Sequence, residues 1–356
     1  MDWQFYPISK FESLASEWEK LNQKTICSLL FDLRFVRKVL NFFADGTETI
    51  AVLKSEEETK AIVILRKVSF VQWETFQPSQ SPIGYCLFAP EIFSEGTIKS
   101  LAHRLPGVVL SLGFTQLDPD HYPRPNNSRN IRTLDYITTG RLPVPEDFEV
   151  YWGERSRNVK QNYNRARNRL EKQDITIAIK IVSNTSEVCE GVGIYGDIES
   201  SSWKASSGTA VSRTNQQGQF YSELLKSFSP DGTEVWQYLY NDNVVATDLC
   251  IKQNDEIIIL KTTFLDEWNK YSPAFSMHID GIKHLTNTEI KNIEFYGPAM
   301  DWHKKLTEDL RTMYHITWYR FPLLIEVKNL LSHLKTAWSK AQERKQEQQI
   351  KADSVE

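Results

Sequence analysis

The sequence has few cysteines and no long apolar run. Its four cysteines, Cys27, Cys86, Cys189 and Cys250, are far apart and form no Cys-x-x-Cys pair. This spacing favours neither a zinc site nor a disulfide framework, and it suits a reducing compartment. The longest apolar runs, such as Ala61 to Leu65, are too short to cross a bilayer. Because the N-terminus also lacks the features of a signal peptide, we expect a soluble, cytoplasmic protein.

Several signatures of catalysis and cofactor binding are also missing. The sequence contains no Gly-x-Ser-x-Gly turn, no phosphate-binding loop and no dinucleotide fingerprint. Its seven histidines are scattered without the spacing of metal ligands, so we expect no metal. The net charge of −4 and the pI of about 6.1 argue against a general nucleic-acid binder, and we expect no DNA partner.

The most informative segment is residues 154–172, ERSRNVKQNYNRARNRLEK. Val159, Tyr163, Ala166 and Leu170 fall at i, i+4, i+7 and i+11, and this spacing predicts an amphipathic helix. Lys and Arg far outnumber Glu around this apolar stripe, in a chain that is acidic overall. Such a local positive field favours a local anion, such as a phosphate, over a long polyanion. The alternative is a solvated helical face.

The chain is longer than a typical single domain, so its length predicts two domains. We assign residues 1–140 to a mixed α/β domain and residues 141–325 to a second domain, joined through RLPVPEDF with its two prolines. For residues 326–356 we predict a C-terminal helix and a polar tail. In the second domain, apolar periodicity and turn residues predict the following order: a strand at 175–182, helices at 185–203 and 216–228, strands at 234–240, 244–252 and 256–264, a helix at 273–287, a strand at 292–296, a short helix and a strand at 311–320.

This order, β-α-α-β-β-β-α-β-α-β, resembles the GNAT acyltransferase fold. The second half resembles, more narrowly, the GNAT group of cellulose or exopolysaccharide biosynthesis (CelD-like), a relative of the Fem aminoacyl transferases. The segments that carry the resemblance are SRNVKQNYNRARNRLEK, SSWKASSGTAVS, FLDEWNKYSPAFSMHIDGI and IEFYGPAMDWHKKLT. They lie within about residues 135–320. We therefore expect an α/β (α+β) protein of the GNAT fold, with the first half as a degenerate GNAT-like partner in tandem.

The resemblance implies an acyl-CoA donor, such as acetyl-CoA, held where two strands splay apart. Its pyrophosphate would lie at the start of the following helix, here at Ser272-Pro273. Ser272 suits the N-cap and Pro273 the first helical position, and free N–H groups at a helix start bind anions. The predicted donor site comprises Tyr271, Ser272, Pro273 and Thr263. Because the glycine-rich loop of many GNATs is missing, acyl carrier protein and aminoacyl-tRNA stay open as donors.

Acyl transfer to an amine requires a proton acceptor for the amine, a donor to the oxyanion and a proton for the leaving thiolate. The candidate bases are Asp248 and Glu294, and the candidate acids are Tyr296 and His303. A strand backbone amide can serve the oxyanion. The structural alternatives are bonds to neighbouring backbone for Asp248 and a solvent-facing position for Glu294.

The basic helix is predicted beside the acceptor cleft. Arg157, Lys160 and Arg165 would clamp the diphosphate of a nucleotide-linked or lipid-linked sugar, and Trp203, next to Lys204, would stack on a ring. The leading hypothesis is an N-acyltransferase acting on an amino sugar or related precursor of bacterial surface polysaccharide. The alternatives are a Fem-like aminoacyl transferase fed by charged tRNA, and a non-catalytic GNAT-like module in polysaccharide assembly. The apolar stripe after Phe321 is more typical of a helix that packs on the body of the protein, although it also permits peripheral membrane contact. We expect a monomer or dimer.

Overall fold

The computed structural model describes residues 2–201 and 210–326. Within them, one sheet of thirteen strands crosses the whole molecule and carries helices on both faces. The strands are β1 (Asp2–Pro7), β2 (Thr49–Ser55), β3 (Glu58–Ser69), β4 (Gln72–Thr75), β5 (Cys86–Phe88), β6 (Ser111–Leu117), β7 (Ile131–Pro143), β8 (Ile177–Val182), β9 (Thr233–Tyr240), β10 (Asn243–Gln253), β11 (Glu256–Phe264), β12 (Asn292–Glu294) and β13 (Leu310–Tyr319). The helices are α1 (Phe11–Lys24), α2 (Leu33–Phe43), α3 (Glu95–Arg104), α4 (Phe148–Glu154), α5 (Arg157–Glu171), α6 (Thr185–Ser200), α7 (Gln216–Phe228), α8 (Pro273–Leu285) and α9 (His303–Leu306).

The order predicted for the second half is confirmed from β8 to β13. The first half repeats it, with β1, two helices, the strands β2 to β4, the helix α3 and the strands β6 and β7. Each half contains one parallel pair of neighbouring strands, β4 with β6 and β11 with β12. The other pairs among the described residues are antiparallel. The molecule is therefore a tandem of two α/β halves, as the sequence predicts.

The two halves exchange their last strands. The sheet order is β1-β2-β3-β4-β6-β13-β7-β12-β11-β10-β9-β8, so β13 pairs with β6 of the first half and β7 pairs with β12 of the second. At the centre, β7 and β13 run antiparallel, from Gly140 opposite Leu310 to Ile131 opposite Trp318. The predicted division at residue 140 falls inside β7 and stays a prediction. The exchange makes the sheet continuous across both halves.

Apolar helix faces cover the sheet. The residues Phe35, Val36 and Val39 give α2 a buried stripe, which packs against Phe220 of α7 with 6.4 Å between the Phe35 and Phe220 rings. The helices α1, α2, α6 and α7 thus share one core on one face of the sheet. The other face holds two further cores, one under α3 and one under α5 and α8.

The basic helix is present as α5, and its N-cap Ser156 accepts a hydrogen bond from Val159 N–H. Val159 and Leu170 are buried, as the periodicity predicts. Asp280 of α8 accepts hydrogen bonds from Tyr163 Oη at 2.7 Å and from Arg167 Nη1 at 3.1 Å. One cation of the basic helix therefore anchors α5 on α8. No helix among the described residues is both long enough and apolar enough to span a bilayer.

Candidate active site

The parallel strands β11 and β12 pair over three residues and then separate. The register runs from Glu256 opposite Asn292 to Ile258 opposite Glu294. Beyond this point β11 stays on β10 as far as Phe264, whereas Ala299 N–H donates to Thr138 O of β7 at 2.7 Å. In an antiparallel ladder alternate residues turn their backbone groups away from the partner strand. Residues 259–264 therefore present N–H and C=O groups to the gap.

The gap opens into a cavity of about 820 Å³, which we call the β11–α8 cleft. Residues 259–264 of β11, the start of α8 and the segment 295–305 form its walls. The predicted donor residues Thr263, Ser272 and Pro273 all line it. The lining also includes the aromatic side chains of Phe264, Phe275, Phe295 and Trp302. The cleft is thus largely apolar, with a helix start at one side.

The start of α8 is where the sequence predicts it, but it is not capped by a side chain. Pro273 occupies the first helical position, and Ser276 N–H donates to Ser272 O at 3.0 Å. Ser272 has a left-handed backbone, with φ of 50°, and its hydroxyl makes no capping bond. Ser272 is the N-cap residue, as predicted, but its side chain does not cap the helix, because a capping side chain normally needs an extended backbone. The N–H groups at this helix end stay available to an anion.

Basic side chains surround this helix start. A second cavity of about 310 Å³ lies between α5 and α8 and is lined by Arg165, Arg169, Lys270, Tyr271 and Ser272. Tyr271 Oη accepts a hydrogen bond from Gln173 Nε2 at 2.9 Å. Arg165 was predicted on the acceptor side, and the structure places it beside the predicted donor residues Tyr271 and Ser272. Arg169 and Lys270 were missed, although Arg169 belongs to the same basic helix.

His303 lines the β11–α8 cleft as a neutral side chain. Its Nδ1 accepts the Met300 N–H at 2.9 Å, so Nε2 carries the ring proton. Burial, followed by the nearby His278, lowers the pKa of His303 to about 4. The Trp302 ring stacks on the rings of both histidines, with 3.5 Å between the ring centres for His303 and 4.5 Å for His278. His303 is therefore equipped to donate a hydrogen bond at neutral pH.

Asp248 does not line the cleft. It is fully buried between β10 and α8, and its Oδ2 lies 2.8 Å from His278 Nε2. Within the described residues, Asp248 Oδ1 and His278 Nδ1 have no hydrogen-bond partner. The predicted alternative of bonds to neighbouring backbone is not what holds Asp248. The pair could not be predicted from local spacing, because its members are thirty residues apart.

Glu294 and Tyr296 lie on the side of the sheet opposite α8. Glu294 is fully buried and accepts hydrogen bonds from Arg311 Nη2 at 2.8 Å and from Arg141 Nε, so the predicted solvent-facing alternative is wrong. Arg311 also binds Asp118 at 2.9 Å. Burial raises the pKa of Glu294 despite the two arginines, and it raises the pKa of Tyr296.

Tyr296 lines a further cavity of about 590 Å³, which we call the interhalf cavity. It shares with the β11–α8 cleft the residues Ile259, Leu260, Lys261, Phe295, Gly297 and Pro298. The first half contributes the loop of residues 77–82 and Tyr136. The two cavities meet where β11 and β12 separate. Two molecules can thus approach the gap from opposite sides of the sheet.

Arg157 and Lys160 lie away from the gap. Arg157 is exposed at the start of α5, and Lys160 Nζ donates to Gly153 O at 2.6 Å. Neither side chain lines the cleft or the interhalf cavity, whereas Val159 and Asn162 of the same helix line the cleft. Trp203 and Lys204 lie outside the described residues.

Comparison with known proteins supports the fold and the class of reaction. Residues 157–304 match the family model described as acetyltransferase (GNAT) domain. The C-terminal domain (DUF2156) of an Agrobacterium fabrum protein assigned as a lysylphosphatidylglycerol synthetase is 13% identical, with a TM-score of 0.54 over 89% of this chain and 96% of that chain. FemX is 7% identical, with a TM-score of 0.49 over 84% and 94% of the two chains. A tandem GNAT protein from the clavulanic acid biosynthesis pathway is 9% identical, with a TM-score of 0.46 over 88% and 98%.

A search among curated proteins finds no match. The matched domain contains both splayed strands, the helix α8 and the basic helix α5. The protein has the GNAT fold, and its matched domain makes it an acyltransferase of the GNAT type.

Proposed function

We propose that the protein is an N-acyltransferase that binds an acyl-CoA in the β11–α8 cleft and an amine acceptor in the interhalf cavity. The observation that carries this proposal is the meeting of the two cavities at the gap between β11 and β12. Acyl transfer needs the thioester carbonyl and the amine nitrogen in contact, with water largely excluded. A gap with access from both sides meets this requirement.

The donor side is supported by its charge and its walls. The uncapped start of α8 and the side chains of Arg165, Arg169 and Lys270 suit the phosphates of CoA. The apolar walls of the cleft suit an acyl chain, and the backbone groups of β11 that face the gap suit the amides of the pantetheine arm. On this proposal Arg165 serves the donor, while Arg157 and Lys160 would contact the acceptor outside the gap.

The chemistry needs three groups near the gap. The acceptor amine loses a proton, its nitrogen attacks the thioester carbon, and the sulfur leaves as a thiolate that takes up a proton. A backbone N–H of β11 in the gap is placed to stabilise the oxyanion. His303 offers Nε2–H toward the thiolate, and Tyr296 lies on the acceptor side. Asp248 and Glu294 are held in buried pairs and are weaker candidates for the base.

For the acceptor we propose an amino sugar or a related precursor of bacterial cell-surface polysaccharide, in the cytoplasm. The lining of the interhalf cavity supports a sugar, because it combines the amides of Gln77 and Gln116 with the rings of Tyr136 and Tyr221. Such groups supply hydrogen bonds and flat apolar faces. The resemblance to the CelD-like group points in the same direction.

Isothermal titration with acetyl-CoA tests the donor site. We expect binding that Arg165→Glu with Arg169→Glu weakens by at least about tenfold, because two phosphate-facing charges are reversed. Arg157→Glu is the matched control, since it reverses a charge on the same helix away from both cavities. We expect it to change the affinity by less than about threefold.

Two results would contradict the proposal. Equal weakening by Arg157→Glu would place the CoA phosphates elsewhere on α5. Failure of every acyl-CoA to bind, together with binding of an aminoacyl-tRNA, would favour the Fem-like reaction.

A further inference from the structure

Exposed apolar side chains concentrate at one end of the sheet. Six of the ten large hydrophobic residues that are exposed in the described part of the chain lie there, and we call them the apolar tip: Val68, Phe70, Val71, Val108, Phe321 and Leu323. Phe70 is 90% exposed, more than any other member of the set. Single exposed hydrophobics are common, but a cluster of six on neighbouring segments is a mark of an interaction site.

Backbone hydrogen bonds hold the three segments of the tip together. Val71, at the hairpin between β3 and β4, accepts the Leu110 N–H at 2.7 Å. Leu110 in turn accepts the Arg320 N–H at 2.9 Å. The hairpin, the loop before β6 and the residues after β13 therefore form one fixed surface.

Basic side chains surround the apolar tip. Lys67 Nζ lies 5.7 Å from the Phe70 ring centre, and Arg320 Nη1 donates to Val109 O at 3.2 Å. Arg129 and Arg132 flank Asn130, whose Nδ2 donates to Tyr319 O at 2.7 Å. None of these four cations forms an ion pair with a carboxylate among the described residues.

The basic charge of this end also acts on α3. Burial, and then the charges of Arg320 and Lys99, lower the pKa of His103 at the end of α3. Of the carboxylates on the same segments, Glu74 is paired with Arg66, and Glu326 lies beyond Leu323. An apolar surface with a basic rim fits a partner that is apolar inside and anionic at its surface.

The charge of the rest of the chain argues against its own C-terminal residues as that partner. Residues 327–356 contain six Lys or Arg and four Asp or Glu, so this stretch is itself basic. A second copy of the basic rim would likewise repel the first. An anionic lipid bilayer combines the two required properties, and basic residues next to apolar ones are the usual means of binding it.

We propose that the apolar tip and its basic rim dock the protein on the surface of an anionic phospholipid membrane. Phe70 and its neighbours enter the interface between headgroups and acyl chains, and Lys67, Arg129, Arg132 and Arg320 contact the anionic headgroups. The tip lies where β6 begins and β13 ends. The strands β11 and β12 run toward this same end of the sheet, so docking would turn the gap between them toward the membrane. This inference stands apart from the proposed acyl transfer.

The test is co-sedimentation of the full chain with two kinds of vesicle. The neutral vesicles contain phosphatidylcholine alone, and in the anionic vesicles about one third of the lipid is phosphatidylglycerol. We expect binding to the anionic vesicles that is at least about tenfold stronger than to the neutral ones and that falls with salt. Phe70→Asp should weaken it by at least about tenfold, as should Lys67→Glu with Arg129→Glu. The matched controls are Val150→Asp, an exposed apolar residue on α4, and Lys172→Glu with Lys291→Glu.

Several outcomes would overturn the proposal. The first is no binding to anionic vesicles, and the second is equal binding of the wild type and the tip variants. A third is sedimentation of the free protein as a dimer that Phe70→Asp dissociates, which would make the tip an interface between two copies. Circular dichroism of each variant checks that the fold is retained.

Discussion

The two halves of the sheet both contain a parallel strand pair that could splay, yet they use it differently. Between β11 and β12 the second half keeps a cleft of about 820 Å³. The corresponding place in the first half is filled by its own chain. Thr115 N–H donates to Thr75 Oγ1 at 2.9 Å, and Gly84 N–H donates to Thr115 O at 3.2 Å. A methyl group on Gly84 would lie 2.5 Å from Thr115 O, so this contact leaves no room.

The helices that lie between the two strands of each pair, α3 and α8, differ in the same sense. At the start of α3, the side chain of Ser94 accepts the Thr97 N–H at 3.3 Å, and Glu95 adds a negative charge in the first turn. At the start of α8 no side chain caps the helix, and Lys270 lies just before it. The fold therefore supplies backbone N–H donors at two equivalent helix starts. A site exists where side chains leave them unused.

The largest effect should come from breaking the link between the halves. Arg311 lies between Asp118 of the first half and Glu294 of the second, and all three are buried. Arg311→Met leaves the buried Asp118 without its cation and Glu294 with Arg141 alone, which should cost about 3–5 kcal/mol in the free energy of unfolding, measured in urea. The control Arg124→Met removes an exposed pair with Asp135 and should cost less than about 1 kcal/mol. Equal losses of stability in Arg311→Met and Arg124→Met would show that the buried ion pairs of Arg311 stabilise the fold no more than an exposed pair does.

His303 should make stability depend on pH. Its pKa falls from 6.5 in the unfolded chain to about 4 in the folded one. Between these values the unfolded chain binds the proton more tightly, so stability falls as the pH is lowered through this window. At about 1.4 kcal/mol per unit, the loss approaches about 3 kcal/mol by pH 4. His303→Gln should remove this part of the pH dependence, and an unchanged curve in urea unfolding would refute the assignment.

Crowding the filled position of the first half should come next. Gly84→Ala places a methyl group against Thr115 O and Thr75 Oγ1 and should destabilise the protein by about 1–3 kcal/mol. We expect the affinity for acyl-CoA to stay within about twofold, because the cleft lies in the other half.

The matched control for Gly84 is Gly153→Ala in α4, where a Cβ would meet no atom within 4 Å. It should be neutral or slightly stabilising, because alanine favours a helix over glycine. Loss of CoA binding in Gly84→Ala would show that the filled position of the first half and the β11–α8 cleft are not independent.

The smallest change would make α8 resemble α3. Ser272→Asp keeps a residue that tolerates the left-handed backbone and adds a carboxylate at the helix start. We expect the affinity for acetyl-CoA to fall by about tenfold, or about 1.4 kcal/mol, with little change in stability. Ser272→Asn has the same shape without the charge and should bind almost as the wild type does. Titration of both variants separates charge from shape.

Local patterns predicted the second half well. The predicted ranges of α7 and β11 agree with the observed ones. Pro273 begins α8, as predicted, because its fixed φ suits the first helical turn. The strand β1 and the helix α4 were missed. The prolines of RLPVPEDF favoured a linker, yet Arg141 to Pro143 complete the strand β7.

The candidate site was predictable where a single segment carries it. The basic helix and the Tyr-Ser-Pro turn both lie at the cleft. The pair of Asp248 with His278 and the buried position of Glu294 depend on contacts between distant segments. No local spacing encodes such contacts, so sequence patterns could not choose among the candidate bases.

The exchange of β7 and β13 also bears on how the chain is made. During synthesis β6 emerges early, but its neighbour β13 is residues 310–319 and leaves the ribosome much later. Until then the first half holds β6 with one side unpaired, and β7 waits for both β12 and β13. Completion of either half therefore requires synthesis of the chain through β13, and the centre of the sheet closes only then.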